Sequence, residues 1–289
     1  MYNPNTGTWA YDLLKRFRLP TNFLPNIVEP GTIIGSLRGS IRKELNLSNI
    51  PFIAPATHDT GSAVAAIPVK KGQGNFIYIS SGTWSLMGIQ TDKPILSQRA
   101  LENNFTNEGG FGHTFRFLKN IMGLWIIQEC RREWHKTGMR LDYEQLTDLA
   151  NKATPFASLF DPDNELFLAP GDMPKRLKEY WISSGQKFID SPGSLVRSTL
   201  ESLSLKYRHT CELIESILQR NFDVIHMVGG GVQNKLLCQF TANATKKTVI
   251  AGPVEATAIG NIIVQAIGIN EVSNIDQGHQ LIRNSFVTE

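Results

Sequence analysis

Three short stretches of the sequence carry residue types suited to handling a hydroxyl or a phosphate. Asp59 follows an apolar run, at the mouth of an expected helix, with His58 and Thr60 on either side. A carboxylate in that place can accept a proton from a bound hydroxyl, and it can equally cap the helix. Ser80-Ser81-Gly82-Thr83 joins two expected strands. Its backbone N–H groups and hydroxyls would either line a concavity for phosphate oxygens or simply close a hairpin. Gly229-Gly230-Gly231 ends a strand and opens a helix. Such a turn lets the chain approach a nucleotide without Cβ clashes, with the helix N-terminus facing it, or serves only as a strand-to-helix turn.

Two neutral amides extend the set. Asn120 is expected to open a helix, which puts Gln128 about 12 Å further along it at ~1.5 Å per residue. Amides so spaced either touch different parts of an extended ligand or are exposed polar residues. Glu255, after Gly252-Pro253, reads as a first-turn charge that favours the helix dipole. Common phosphate-binding patterns are absent: there is no GxxxxGK[ST], and Gly72-Gln73-Gly74 lacks the third glycine of a dinucleotide fingerprint and precedes a strand.

Composition narrows the field. With 289 residues, 41% hydrophobic and 19% charged, the chain can bury one or two ordinary cores. Its 29 basic and 26 acidic residues leave a formal charge of +3 with no basic run, which disfavours nucleic acid or a membrane surface as the main partner. Cys130, Cys211 and Cys238 lie far apart without a CxxC spacing. They read as buried, reduced thiols of a cytoplasmic chain and not as metal ligands. No apolar stretch approaches the ~18 residues of a membrane span, and the N-terminus lacks the order of a signal peptide.

The elements that must position these residues can be read from pattern. A turn-rich start leads into a short helix with Trp9, Leu13, Leu14 and Phe17 on one face. Strands are expected at 32–34 and 52–54, with helices at 40–45 and 62–67. A polar break at 70–74 marks a domain boundary, after which strands are expected at 75–80, 84–89 and 110–117. A long helix would follow from Asn120 to Trp134, and residues 161–185, rich in Pro, Gly and polar side chains, would be a surface excursion. Ser191-Pro192 is a good helix start, with serine to cap and proline at the first position, for a helix to about Arg220. Strands at 223–228 and 248–251, each followed by a helix, complete a layered α/β domain.

Taken together and in order, several segments resemble the FGGY carbohydrate kinases. They are Ala56-Thr57-His58-Asp59-Thr60, Ser80-Ser81-Gly82-Thr83-Trp84-Ser85-Leu86-Met87-Gly88, Thr106-Asn107-Glu108-Gly109-Gly110, Leu118-Lys119-Asn120-Ile121-Met122-Gly123-Leu124-Trp125 and Val228-Gly229-Gly230-Gly231-Val232-Gln233-Asn234. Gly252-Pro253-Val254-Glu255-Ala256 and Gly260-Asn261 look like that family's final helix. Within the family the likeness is to the branch that acts on L-rhamnulose, with kinases for fuculose or xylulose as the nearest alternatives.

The resemblance implies an actin-like ATPase (ribonuclease H-like) α/β domain with a partial second domain of the same kind, and ATP and sugar meeting between the family's two domains. It implies Asp59 as the proton acceptor, and His58, Asp59, Thr60 and Asn120 as sugar contacts. Thr83, Gln128 and Gly230 would be ATP contacts, with magnesium on the nucleotide. The implied reaction is phosphorylation of the sugar's 1-hydroxyl. The family begins with a strand and an acidic, glycine-containing phosphate turn, and nothing of that kind precedes Asp59. Residues 1–70 are therefore expected to be the end of the family's N-terminal domain and 71–289 its C-terminal nucleotide-binding domain. On that expectation the chain is a fragment, a truncated gene product or half of a split enzyme, inactive alone, and a separately encoded N-terminal domain would complete it. A non-catalytic nucleotide-binding or interaction module is the reading from a different class.

Overall fold

In the computed structural model, residues 1–70 and 72–289 are described. Of the break expected at 70–74, Lys71 lies outside the described residues. The chain opens with β1 (Tyr2–Asn3), β2 (Thr8–Trp9), α1 (Tyr11–Arg16), β3 (Ile33–Ser36), α2 (Gly39–Glu44), β4 (Pro51–Ile53) and α3 (Asp59–Ala65). Next come β5 (Phe76–Ser81), β6 (Trp84–Thr91), α4 (Gln98–Glu102), β7 (Thr106–Gly109), β8 (Phe115–Met122), α5 (Trp125–Lys136), α6 (Tyr143–Lys152) and α7 (Met173–Ser183). The rest is α8 (Pro192–Leu218), β9 (Val224–Val228), α9 (Lys235–Thr245), β10 (Thr248–Ala251), α10 (Ala256–Gly268) and α11 (Ile275–Ser285).

Two compact units result. The first comprises Met1–Lys70, Gln90–Leu118 and Ala256–Ser285, the second Lys71–Ile89, Lys119–Glu255 and Phe286–Glu289. A mixed six-stranded sheet has the order β10-β9-β5-β6-β8-β7. β10, β9 and β5 are parallel neighbours, while β6 returns antiparallel to β5. β5 and β9 are buried along nearly their whole length and mostly apolar, as suits strands covered on both faces.

In the second unit α8 starts as its sequence requires, with Ser191 Oγ accepting from the Ser194 amide and Pro192 in the first turn. Residues 161–185 are not a surface excursion. Phe167, Met173, Leu177 and Trp181 are buried with Phe160, Met122, Ile126 and Cys130 in one core cluster. The Trp181 indole donates to the Leu159 carbonyl. The polar residues around it had hidden a helix whose apolar positions face inward.

The first unit is built differently. β3 and β4 form a separate two-stranded sheet whose Ile33, Ile34 and Phe52 stay exposed. In α1 only Leu14 is buried, so the apolar face expected there is mostly open. Its closest packing is between α3 and α10. α3 is lined with Thr60, Gly61, Ser62, Ala63, Val64 and Ala65, all buried. A Cβ on Gly260 of α10 would overlap the Ser62 carbonyl, so the two backbones meet where only glycine fits. α10 begins one residue after Glu255, which lies outside its first turn.

Candidate active site

In the first unit, Asp59, His58 and Thr60 form one constellation at the start of α3. The N-cap residue is His58, not Asp59: its Nδ1 accepts from the Thr60 amide at 3.3 Å. Asp59 is the first helical residue, and its Oδ1 accepts from the same amide at 2.6 Å and from the Thr60 hydroxyl at 3.3 Å. His58 Nδ1 lies 3.0 Å from Asp59 Oδ1, and the Asp59 side chain is 74% exposed. One carboxylate oxygen is thus steered by the helix start while the side chain stays open to a ligand. Thr60 itself is buried, with its hydroxyl turned to Asp59.

The backbone under this constellation is fixed from below. The Ser62 hydroxyl donates to the Ala56 carbonyl at 2.8 Å, closing the turn that presents His58 and Asp59. Arg116 of β8 is buried, donates to the Gly109 carbonyl and lies 2.9 Å from Glu108, directly opposite it on β7. A Cβ on Gly61 would come within 3.4 Å of this guanidinium, so Gly61 lets α3 lie close on a paired buried charge. Sequence reasoning missed Arg116. The signal that could have found it is an arginine inside an apolar strand with a glutamate at the opposing register.

The second unit brings the other candidates into two groups. Thr83 is exposed at the turn between β5 and β6, and its hydroxyl donates to Gln128 Oε1 of α5 at 3.1 Å. Gly230 is exposed in the turn after β9, where a Cβ would meet nothing within 4 Å. Its neighbour Gly229 takes φ +88°, a conformation that favours glycine, and a Cβ there would lie 2.8 Å from the Ser81 carbonyl. The residues of the two glycine turns, far apart in sequence, are neighbours through the β5–β9 pairing.

Asn120 needs a correction. It does not open a helix but lies exposed on β8, and α5 begins only at Trp125. The spacing expected from a shared helix therefore does not apply to Asn120 and Gln128. On β8 Asn120 is exposed, while Lys119 before it is half-buried and Ile121 after it is buried. α5 has no side-chain cap at its start: its Leu124 and Trp125 amides donate to the Gly82 and Thr83 carbonyls. Near the end of β8, Asp163 accepts from the Met122 amide and pairs with Lys206, which also holds Asp161. Burial alone would lower the Lys206 ammonium, but hydrogen bonds to the two aspartates outweigh it and hold the group above its ordinary value.

Among the described residues no cluster of three or more His, Cys, Asp or Glu side chains is placed to hold a metal ion, and no helix is long and apolar enough to cross a membrane. Cys130 and Cys211 are buried and Cys238 half-buried, all as free thiols, with burial pushing the Cys211 thiol up to about 12 and the Cys238 thiol to about 11.

The chain is similar to known carbohydrate kinases over nearly its whole length. The chain is 43% identical over 286 residues to a rhamnulokinase of Bacteroides thetaiotaomicron, which covers 99% of this chain and 58% of that protein. It is 41% identical over 286 residues to a rhamnulokinase of Oceanobacillus iheyensis, covering 99% of this chain and 59% of the relative. The chain thus spans less than two thirds of the length of these curated relatives. Among solved structures it is similar to a ligand-bound xylulose kinase from Lactobacillus acidophilus, with a TM-score of 0.71 at 13% identity over 96% of this chain and 55% of that one. Plasmodium falciparum glycerol kinase with ADP gives a TM-score of 0.70 at 16% identity, over 99% and 56%. These likenesses show that the fold is the actin-like α/β fold expected from the sequence. Residues 77–269 match the model of the C-terminal domain of the FGGY family of carbohydrate kinases, and the chain belongs to that family.

Proposed function

We propose that this chain supplies the nucleotide-binding half, and the proton acceptor, of a kinase that phosphorylates L-rhamnulose on its 1-hydroxyl. The observation that carries the reading is the open Asp59 carboxylate beside His58 at a helix start, in a chain 43% identical to a rhamnulokinase. Phosphoryl transfer asks the protein mainly for positioning and charge stabilisation, plus one group to receive the hydroxyl proton. Asp59 fills that last role, with one oxygen steered by Thr60 and the other free for the sugar. His58, Thr60 and Asn120 orient the sugar, and Thr83, Gln128 and Gly230 bear on the nucleotide.

ATP, carrying magnesium, supplies the phosphoryl group. The residues fit such a ligand: an exposed hydroxyl at Thr83 and an exposed glycine with open space at Gly230. Residues 1–70 are read as the end of an N-terminal kinase domain and 71–289 as the C-terminal domain. The remaining part of the N-terminal domain is the partner that would cover the exposed Ile33, Ile34 and Phe52. Free thiols suit a cytoplasmic setting.

The test is ADP release by the chain alone and by the chain completed with the N-terminal portion of a relative, by fusion or as a separate polypeptide. The completed enzyme turns over L-rhamnulose in preference to L-fuculose and D-xylulose, and the 289 residues alone give no turnover, because half the positioning shell is missing. Preference for another ketose overturns the substrate. Robust turnover by the chain alone overturns the division of labour.

A further inference from the structure

Beneath the two glycine turns of the second unit lies a cluster of buried hydroxyls that the proposed chemistry does not use. Tyr207, in the middle of α8, is fully buried, and its phenolic oxygen is 2.5 Å from Ser85 Oγ. Ser85 stands directly opposite Ser81 across the β5–β6 pair, and both serines are buried. The Ser81 hydroxyl makes no hydrogen bond of standard geometry to another protein group. Burial raises the phenol's pKa, so it stays protonated, while the Ser85 and Ser81 hydroxyls pull the other way. A buried hydroxyl costs stability unless it is bonded, and an apolar side chain would fill the same space without that cost.

Two backbone segments close on these serines through glycines. A Cβ on Gly231 would overlap the Ser81 side chain, and one on Gly229 would lie 2.8 Å from the Ser81 carbonyl. A Cβ on Gly123 would lie 2.8 Å from both Ser85 Oγ and the Gly82 carbonyl. The 80–83 turn, the 229–231 turn and the start of α5 therefore meet over one pair of hydroxyls, and the Tyr207 phenol of α8 is bonded to one of them, that of Ser85.

We propose that Tyr207 is a positioning residue: through Ser85, which stands opposite Ser81 on the paired strand, it holds the 80–83 turn and the 229–231 turn at the spacing at which both bear on the phosphates of one bound nucleotide. The inference rests on the nucleotide reading given above and deepens it. Because the cluster sets the turns and not the purine side of the site, its loss should be felt by the phosphates alone.

Calorimetry on the 289-residue chain with MgADP and with adenosine tests this. Tyr207→Phe keeps the ring and its packing, and Ser85→Ala removes the hydroxyl it bonds. Each variant should keep the fold by circular dichroism and lose MgADP affinity about tenfold, with adenosine changed by less than about twofold. The double variant should be little weaker than either single one, since both break the same link. Equal losses for the two ligands would mean a general packing role, and unchanged MgADP affinity would mean no role; either overturns the proposal. If Tyr207→Phe does not fold, Ser85→Ala decides, and if that also unfolds the cluster is a folding element and the proposal falls. A parent chain that binds no MgADP overturns the nucleotide reading itself, and this inference with it.

Discussion

The second unit places its 80–83 and 229–231 turns on strands buried on both faces, so that β5 and β9 end at fixed points and the turns inherit that precision. The first unit positions Asp59 by a different means. It holds α3 by close backbone approach to α10, through Ser62 and Gly260, and leaves large apolar side chains such as Ile33, Ile34 and Phe52 in the open. Sheet burial spreads positional control over many side chains, each of which can be trimmed at moderate cost. Helix-on-helix contact through small residues concentrates it at one or two atoms, where a single added methyl is felt in full.

The sharpest break in that comparison is chemical. If the first unit contributes one proton acceptor, then in the completed enzyme Asp59→Asn should lower turnover roughly 10²- to 10⁴-fold, about 3 to 5 kcal/mol in the barrier, with little change in sugar affinity. Asn keeps the shape and can still accept from the Thr60 amide, so the helix start is preserved. Near-parent turnover with saturating sugar would leave Asp59 a structural residue of the first turn, and the base would have to lie elsewhere.

A second pair of substitutions compares the units through their glycines. Gly260→Ala forces a methyl into the Ser62 carbonyl and should destabilise the first unit by about 1 to 3 kcal/mol or more, since backbone cannot yield as a side chain can. Gly230→Val adds more bulk but meets nothing within 4 Å and needs no left-handed backbone, so stability should shift by no more than about 0.5 kcal/mol. Its effect should fall on nucleotide affinity instead. Urea midpoints and MgADP titrations separate the two outcomes; a Gly260→Ala chain as stable as the parent would show that α3 and α10 can slide apart.

What could be read from the sequence divides along the same line. α8, β9 and β10 are found within a residue or two of their expected ends, because a serine–proline start and short apolar runs are local signals. The His58-Asp59-Thr60 constellation sits where the pattern put it, at a strand-to-helix entry. The start of α5 was misplaced because asparagine is a common cap, whereas its amides are satisfied by carbonyls of the 80–83 turn, a tertiary contact with no local trace. The Thr83–Gln128 hydrogen bond and the Ser85–Tyr207 pair are likewise products of the fold, joining residues that no motif links. α7 is not legible in the sequence because its buried Met173, Leu177 and Trp181 are diluted by lysines on the outer face.

The smallest expected effect concerns acid. His279 of α11 is buried and its Nε2 donates to the carbonyl of Ala65 at the end of α3, while Nδ1 has no hydrogen-bond partner. Burial holds its pKa below the ordinary value, with the Ala65 carbonyl and Asp276 opposing and Arg283 adding to the depression. In the unfolded chain the same imidazole takes up a proton near pH 6.5. Between the depressed folded value and about 6.5 the unfolded state therefore binds more protons, so stability rises with pH across that window and is lost as pH falls through it. The loss should be confined to the first unit. Amide exchange of peptides from α3 and α11, corrected for intrinsic rate, should show weaker protection at pH 5.5 than at pH 7.5, while β5 and β9 change little. His279→Gln can still donate to the Ala65 carbonyl but cannot be protonated, so it should abolish most of the difference between the two pH values. If parent and His279→Gln lost protection equally on acidification, the acid-sensitive group would not be His279, and α3 would be held against α10 independently of the imidazole beneath it.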